Sequence, residues 1–354
     1  MNRPLTLLIL VIVVVIVVLL LLNVTAQEEP VDIVYSWIDG NDPDVQKEIQ
    51  YWKKQYNLPG TSATSNRFRA MDELRYSLRS VRENAPWVRN VYVVTSLHKI
   101  PAWFNENIGA EHGVYFIDDS ELLDTVPVFN SLAKEAVKHK IPGLSERYLY
   151  FNDDLFFGSP VTLDDFQDDK GRAKMFLEPE HFVPHDYEGI GEQDYFAKGL
   201  YYTQSVLMDL FPELEDKQVQ EMFMHMQLKR HTPDLHFVSE DFEKERLLPE
   251  LTKHTANSRF RGIDQLYDNT LFDNYWKLAR GKAIPSEIST VLMGLEGKNE
   301  QEEMMFERIR TERPKCFCVN DGIADDTTPE AQASIEFFGN FLEEYYPTAA
   351  PWEQ

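Results

Sequence analysis

The segment Tyr148-Leu149-Tyr150-Phe151-Asn152-Asp153-Asp154-Leu155-Phe156-Phe157-Gly158 constrains the fold more than any other. It opens as an apolar, aromatic run of strand length, breaks into three polar residues, and turns apolar again before stopping at glycine. Carboxylates held between such flanks are costly unless a cation or a hydrogen-bond donor meets them. A divalent metal and a phosphate are therefore the expected company of Asp153 and Asp154. In an open α/β sheet, the carboxyl end of a strand is also where ligands gather. An Asp-Asp pair alone says little, because Asp118-Asp119, Asp164-Asp165, Asp168-Asp169 and Asp325-Asp326 repeat it in capping or polar loop contexts.

Upstream, strands and helices alternate. Val31–Ile38 is rich in β-branched and aromatic residues and runs into the turn Asp39-Gly40-Asn41-Asp42-Pro43. Residues 44 to 66 read as a polar helix and a Gly/Ser/Thr loop. Arg67-Phe68-Arg69-Ala70-Met71-Asp72-Glu73 then leads into Leu74, Leu78 and Val81 at helical spacing. Asp72 and Glu73 suit a helix start, and Arg69 reaches the same rim, where a phosphate clamp competes with a surface ion pair. Strands at 91–95 and 114–117, a helix over 130–139 and the strand 147–151 complete the pattern. It predicts an α/β, Rossmann-like, mostly parallel sheet with helices on both faces. The dinucleotide fingerprint Gly-x-Gly-x-x-Gly is absent after the first strand.

From 159 the alternation weakens, and residues 159–230 read as an inserted lid or substrate lobe. Beyond it, Arg230-His231-Thr232-Pro233 and Ser258-Arg259-Phe260-Arg261 bring cations and an imidazole together, with His225, His185 and His254 as competitors for the imidazole's role. Arg259 and Arg261 alternate about Phe260 and share one face of an extended chain. A helix over 267–281, the strand Cys316-Phe317-Cys318-Val319 stopping at Asn320-Asp321, and a helix over 335–346 finish the chain. Cys316 and Cys318, the two cysteines, read as small buried hydrophobes rather than a zinc site.

Leu5 to Val24 is a nearly unbroken aliphatic run, expected as a transmembrane helix with residues 1–4 cytoplasmic, 25–30 a linker and 31–354 the lumenal catalytic domain. A cleaved signal peptide ending near Val24-Thr25-Ala26 is the competing reading; the long apolar run favours an uncleaved type II anchor. This makes the membrane a partner through the N-terminal helix. The excess of 59 Asp+Glu over 35 Lys+Arg, a net charge of -24, argues against nucleic acid as a partner. A phosphate-bearing ligand must then be met by local arginines or a metal. The 43% hydrophobic content supplies a sizeable core without disulfides.

Taken together, Tyr35–Pro43, Asp72–Ser80, Leu144–Asp154, Ser258–Arg261 and Val319–Asp321 resemble, in order, the blocks of the Stealth proteins. That family includes bacterial capsule hexose-phosphate transferases and the catalytic subunit of N-acetylglucosamine-1-phosphotransferase. The resemblance implies transfer of a hexose-1-phosphate from a nucleotide sugar, UDP-linked, to a hydroxyl of a glycan or glycoprotein acceptor, with Mg2+ or Mn2+ and release of a nucleoside monophosphate. It implies Asp153, Asp154, His231, Arg261 and Asp321 as catalytic residues, with Asp153, Asp154 and Asp321 on the metal. Asp39, Asn41, Arg69, Asp72, Glu73, Asn152, Arg259 and Asn320 are the expected substrate contacts, with an ordinary turn an equal reading for Asp39. For the family histidine, His231 keeps the proline of a His-Met-Pro pattern and His225 keeps the methionine. The resemblance further implies a Golgi or other secretory-pathway membrane. A glycosyltransferase releasing a diphosphate and an inactive carbohydrate-binding protein are the alternatives.

Overall fold

The computed structural model describes residues 29–58, 68–192, 194–297 and 299–354. The expected membrane span over 5–24 and most of the linker lie outside them, as does Arg67. Among the described residues, no helix is long and apolar enough to cross a membrane.

The chain begins with β1 (Val31–Ser36), α1 (Pro43–Tyr56), α2 (Glu73–Asn84), β2 (Val91–Thr95), α3 (Glu106–Glu111), β3 (Val114–Asp118), α4 (Ser131–Glu135), β4 (Arg147–Asn152) and β5 (Leu155–Phe157). There follow β6 (Ala173–Phe182), α5 (Tyr195–Leu210), α6 (Lys217–Met224), β7 (Gln227–Lys229), β8 (Asp234–Phe237), α7 (Val238–Leu247) and α8 (Pro249–Ala256). The last elements are α9 (Asp273–Ala279), β9 (Ala283–Ser286), β10 (Thr290–Leu295), α10 (Asn299–Glu312), β11 (Cys316–Asp321) and α11 (Pro329–Tyr345).

The central sheet has the order β3-β2-β1-β4-β8, parallel except for the antiparallel edge strand β8. β1, β2 and β4 are almost wholly buried because helices cover both faces, which is why they read as continuous apolar runs rather than alternating ones. In register, Ile33 lies between Val91 and Leu149, and Tyr35 between Val93 and Phe151. The first turn after β1 is built as its sequence predicts. The Asp42 carboxylate caps α1 by accepting from the Asp44 and Val45 amides, and Pro43 opens the helix. Gly40 is obligatory there, since an added Cβ would fall on the Phe68 carbonyl.

A second sheet, β10-β11-β5, explains the polar break in the opening segment. β4 belongs to the central sheet, but β5 pairs antiparallel with β11, Cys318 standing opposite Leu155. Asp153 and Asp154 are thus the joint at which the chain leaves one sheet and enters the other. The Val319 amide fixes that joint by donating to the Asp154 carbonyl at 3.1 Å. A third small sheet, β7-β6-β9, is drawn largely from the stretch expected as a lid. Met175, Phe176, Leu207 and Phe223 of that stretch pack into the same core cluster as Ile33 and Leu149.

Two expected helices differ in form. The helix over 130–139 is the short α4 followed by a 3-10 turn at Lys138–Lys140, which brings Lys138 to Asp268 and His139 to Glu245. The helix over 267–281 starts with a π turn at Asp268–Phe272 before α9.

Candidate active site

A cavity of about 530 Å³ opens at the carboxyl end of the parallel strands. Ser36, Trp37 and Ile38 enter it from the end of β1, and Asn152, Asp153 and Asp154 from the end of β4. Arg69 comes from the segment leading into α2 and Glu73 from its first residue, Asn130, Ser131 and Lys134 from around α4, and Asn320 and Asp321 from the end of β11. His231, Arg261 and Phe196 complete the lining.

Of the residues implied by sequence, the cavity brings together Arg69, Glu73, Asn152, Asp153, Asp154, His231, Arg261, Asn320 and Asp321. Four others stand apart from its lining. Asp39 accepts from the Asn41 amide at 3.1 Å, and the Asn41 side chain donates to the Ala70 carbonyl at 2.6 Å, so both shape the turn after β1. Asp72 is exposed in the left-handed region with φ 63° and precedes α2 without a side-chain cap. Arg259 stacks 3.8 Å from the Trp52 ring centre and donates to the Pro127 carbonyl. Its partner across Phe260, Arg261, faces the cavity and donates to Ser131 Oγ at 2.8 Å. His225 also lies outside the lining, its ring 5.9 Å from that of His185.

The carboxylates are under electrostatic pressure. Burial, followed by the charge of Asp154, pushes the Asp153 carboxyl up to about 7, and burial raises Asp154 to about 6. Burial and then Asp153 push Glu73 well above the ordinary range, and burial raises Asp321. Asp321 is already partnered: Arg69 Nη1 lies 2.5 Å from its Oδ2, and the Ile323 amide donates to its Oδ1 at 2.9 Å. Arg69 also meets Asp326 at 3.1 Å. Asp154 differs. Its Oδ2 accepts from the Cys318 thiol at 3.4 Å, and its Oδ1 is buried with no protein partner. Burial pushes the Cys318 thiol pKa well up, so the sulfur keeps its proton and acts as donor.

An unpartnered buried carboxylate oxygen beside a second desolvated carboxylate is the donor set a hard divalent cation takes. Asp153 and Asp154 therefore fit a metal. A second group, His236, Asp241 and Asp273, offers ligand atoms within 4.8 Å of one another. There the charge is already met by lysines: Lys244 lies 2.7 Å from Asp241 and 2.9 Å from Asp273, and Lys277 lies 2.6 Å from Asp273. A cation would have to displace ammonium groups with no water to receive them, so this cluster reads as a buried ion network.

Lys134 was not legible as a site residue. It is 4% exposed, and its Nζ donates to the Trp37 carbonyl at 2.8 Å from within the cavity wall. Burial lowers its pKa to about 8 against the opposing pull of Asp119 and Asp153. In the sequence it looks like any helical lysine, and only the fold of α4 against β1 buries it. His231 lines the cavity and is itself exposed to solvent. The protein packed around this exposed residue, then the nearby Lys229 charge, push its pKa below the usual histidine value.

Fold and site together define an α/β protein with a carboxylate-lined ligand cavity at the carboxyl edge of its parallel sheet. Residues 67–175 match Stealth protein CR2, conserved region 2, and residues 307–354 match Stealth protein CR4, conserved region 4. The chain belongs to the Stealth family. An exopolysaccharide phosphotransferase of Streptomyces coelicolor is 33% identical over 329 residues, 92% of this chain and 52% of that protein. The exopolysaccharide phosphotransferase CpsY of Mycobacterium tuberculosis is 33% identical over 330 residues, 92% of this chain and 58% of that one. The chain thus spans a little over half the length of these curated relatives. Among solved structures, the galactosyltransferase LgtC in complex with donor and acceptor sugar analogs aligns at 11% identity and a TM-score of 0.40, covering 88% of this chain and 95% of that one. Nothing about activity follows from so distant a likeness.

The Golgi assignment is corrected by these relatives, which come from bacteria, cells without a Golgi apparatus. The type II topology attached to it has no described helix to carry it.

Proposed function

We propose that this chain is a cation-assisted sugar-phosphate transferase, moving a hexose-1-phosphate from a nucleotide sugar to a hydroxyl of a polysaccharide and releasing a nucleoside monophosphate. The observation that carries the reading is the pairing of Asp153 with an Asp154 whose Oδ1 has no partner, facing a wall that holds Lys134 and Arg261. The Streptomyces and Mycobacterium relatives, named as exopolysaccharide phosphotransferases, support the same class.

Asp153 and Asp154 would hold Mg2+ or Mn2+, with Asp321 at the cavity edge occupied chiefly in fixing Arg69. The bound cation would supply charge neutralisation on the phosphoryl oxygens. Lys134 and Arg261 are placed to bind the diphosphate, Lys134 as a buried point charge and Arg261 as a planar fork steadied by Ser131. Asn152 and Asn320 offer amides to sugar hydroxyls. The His231 imidazole, uncharged at neutral pH, can accept the proton of the acceptor hydroxyl, and the charge of a bound diphosphate would raise its basicity. Trp37 and Phe196 flank the cavity and limit the water that competes with the acceptor.

The test is to incubate the full chain with a panel of nucleotide sugars, a polysaccharide acceptor and Mg2+ or Mn2+, and to identify the nucleotide released. Monophosphate supports the proposal. Diphosphate would instead indicate glycosyl transfer, with cleavage on the sugar side of the phosphate.

A further inference from the structure

Both cysteines are fully buried and read from sequence as small hydrophobes, yet their surroundings differ. Cys316 stands opposite Phe157 in the sheet pairing, inside the apolar core. Cys318, two residues on and on the same side of β11, stands opposite Leu155, next to the joint between the two sheets. There its thiol donates to Asp154 Oδ2 at 3.4 Å, while the adjacent Val319 amide holds the Asp154 carbonyl at 3.1 Å. Asp154 is therefore gripped twice from one strand, once by backbone and once by side chain. Its remaining carboxylate oxygen, Oδ1, is buried and unpartnered.

We propose that Cys318 is a positioning residue, its thiol fixing the rotation of the Asp154 carboxylate so that Oδ1 is kept as the open oxygen for a divalent cation. The inference rests on the reading of Asp153 and Asp154 as the cation's ligands. A thiol suits the task. It is a weak donor, so it orients the carboxylate without satisfying it, and its size fits a strand position facing a packed core. A charged donor at the same place would neutralise the carboxylate and compete with the ion. Outer partners of this kind commonly change metal affinity about 10- to 100-fold when removed.

The experiment titrates Mn2+ into the metal-free chain and follows the free ion by electron paramagnetic resonance, with no substrate present. Cys318→Ala is expected to weaken Mn2+ binding at least about tenfold. Cys318→Ser, which keeps a donor, should return affinity to within about threefold of wild type, and Cys316→Ala, which removes a sulfur from the same strand face, should leave it unchanged. Equal weakening by Cys316→Ala and Cys318→Ala would overturn the proposal, since loss of core packing would then explain both. Wild-type affinity in Cys318→Ala would overturn it directly. If Cys318→Ala does not fold, Cys318→Val takes its place as the donor-free variant under the same two criteria. Asp154→Asn separates the two levels: if it binds Mn2+ normally, the reading of the ligands fails, whereas if it loses the ion while Cys318→Ala retains it, only the role of Cys318 fails.

Discussion

Arg69 Nη1 stands 2.5 Å from Asp321 Oδ2, with the two side chains 8% and 9% exposed. The pair joins the segment before α2 to the end of β11, and so ties together the two conserved regions matched in this chain. Removing one partner would leave the other charge buried and uncompensated. Arg69→Met is therefore expected to lower stability by about 3 kcal/mol, read from chemical denaturation. Replacing both residues with apolar groups should cost less than the two single changes added together, and a double-mutant cycle measures that coupling.

The carboxylates at the sheet joint set activity against stability. Asp153 is held at about 7 in the fold against an ordinary 3.8, so between those values the folded chain keeps a proton that the unfolded chain has lost. This group's contribution is therefore most favourable below about pH 4 and is progressively lost as pH rises to about 7. In the absence of divalent ions, Asp153→Asn should raise the melting temperature at pH 8, by an amount corresponding to on the order of 1–3 kcal/mol, while lowering turnover about a thousandfold or more. Removing divalent ions with EDTA should lower the melting temperature of the wild type and leave that of Asp153→Asn nearly unchanged.

The C-terminus is clamped by Glu353, which meets Arg75 at 2.5 Å and Arg79 at 2.7 Å. Burial opposes its ionisation, but hydrogen bonds from Arg79, the Ala350 amide and Arg75 hold it at about 2. Its stabilising effect is full above the unfolded value near 4.5 and is lost as pH falls from there towards 2. Glu353→Gln should accordingly be less stable than wild type at pH 7, and the difference should shrink steadily in acid, followed by denaturant midpoints at successive pH values.

His231 lines the cavity, whereas His225 packs beside His185 outside it. Steady-state kinetics should separate them. His231→Asn is expected to lose about 10²-fold or more in kcat, the range of general-base removal, and His225→Asn to stay near wild type. Equal losses would return the choice to the open state in which the two motifs leave it.

The alternating strands through β4 were legible because buried parallel strands announce themselves as apolar β-branched and aromatic runs. The break at Asn152-Asp153-Asp154 was legible as an anomaly, but its structural cause was not. It depends on β5 pairing with β11, more than 150 residues later, and a three-residue strand carries no periodicity of its own. Arg261 and Arg259 looked equivalent, and only the Trp52 ring and the Pro127 carbonyl draw one of them away. Lys134 carried no local signal because its burial is a tertiary property. Cys318 was read correctly as buried, but its bond to Asp154 required the register of two strands. Asp39 and Asn41 fit both a turn and a ligand contact in the sequence, and the hydrogen bonds they make in the fold are those of the turn.

The most direct test of the central claim follows the phosphorus. A nucleotide sugar labelled with ³²P at the phosphate attached to the sugar is supplied to the full chain with Mn2+ and a polysaccharide acceptor. Transfer of a sugar-1-phosphate predicts label in the polysaccharide and an unlabelled nucleoside monophosphate. Label retained in a released nucleoside diphosphate, with unlabelled sugar on the polymer, would contradict it.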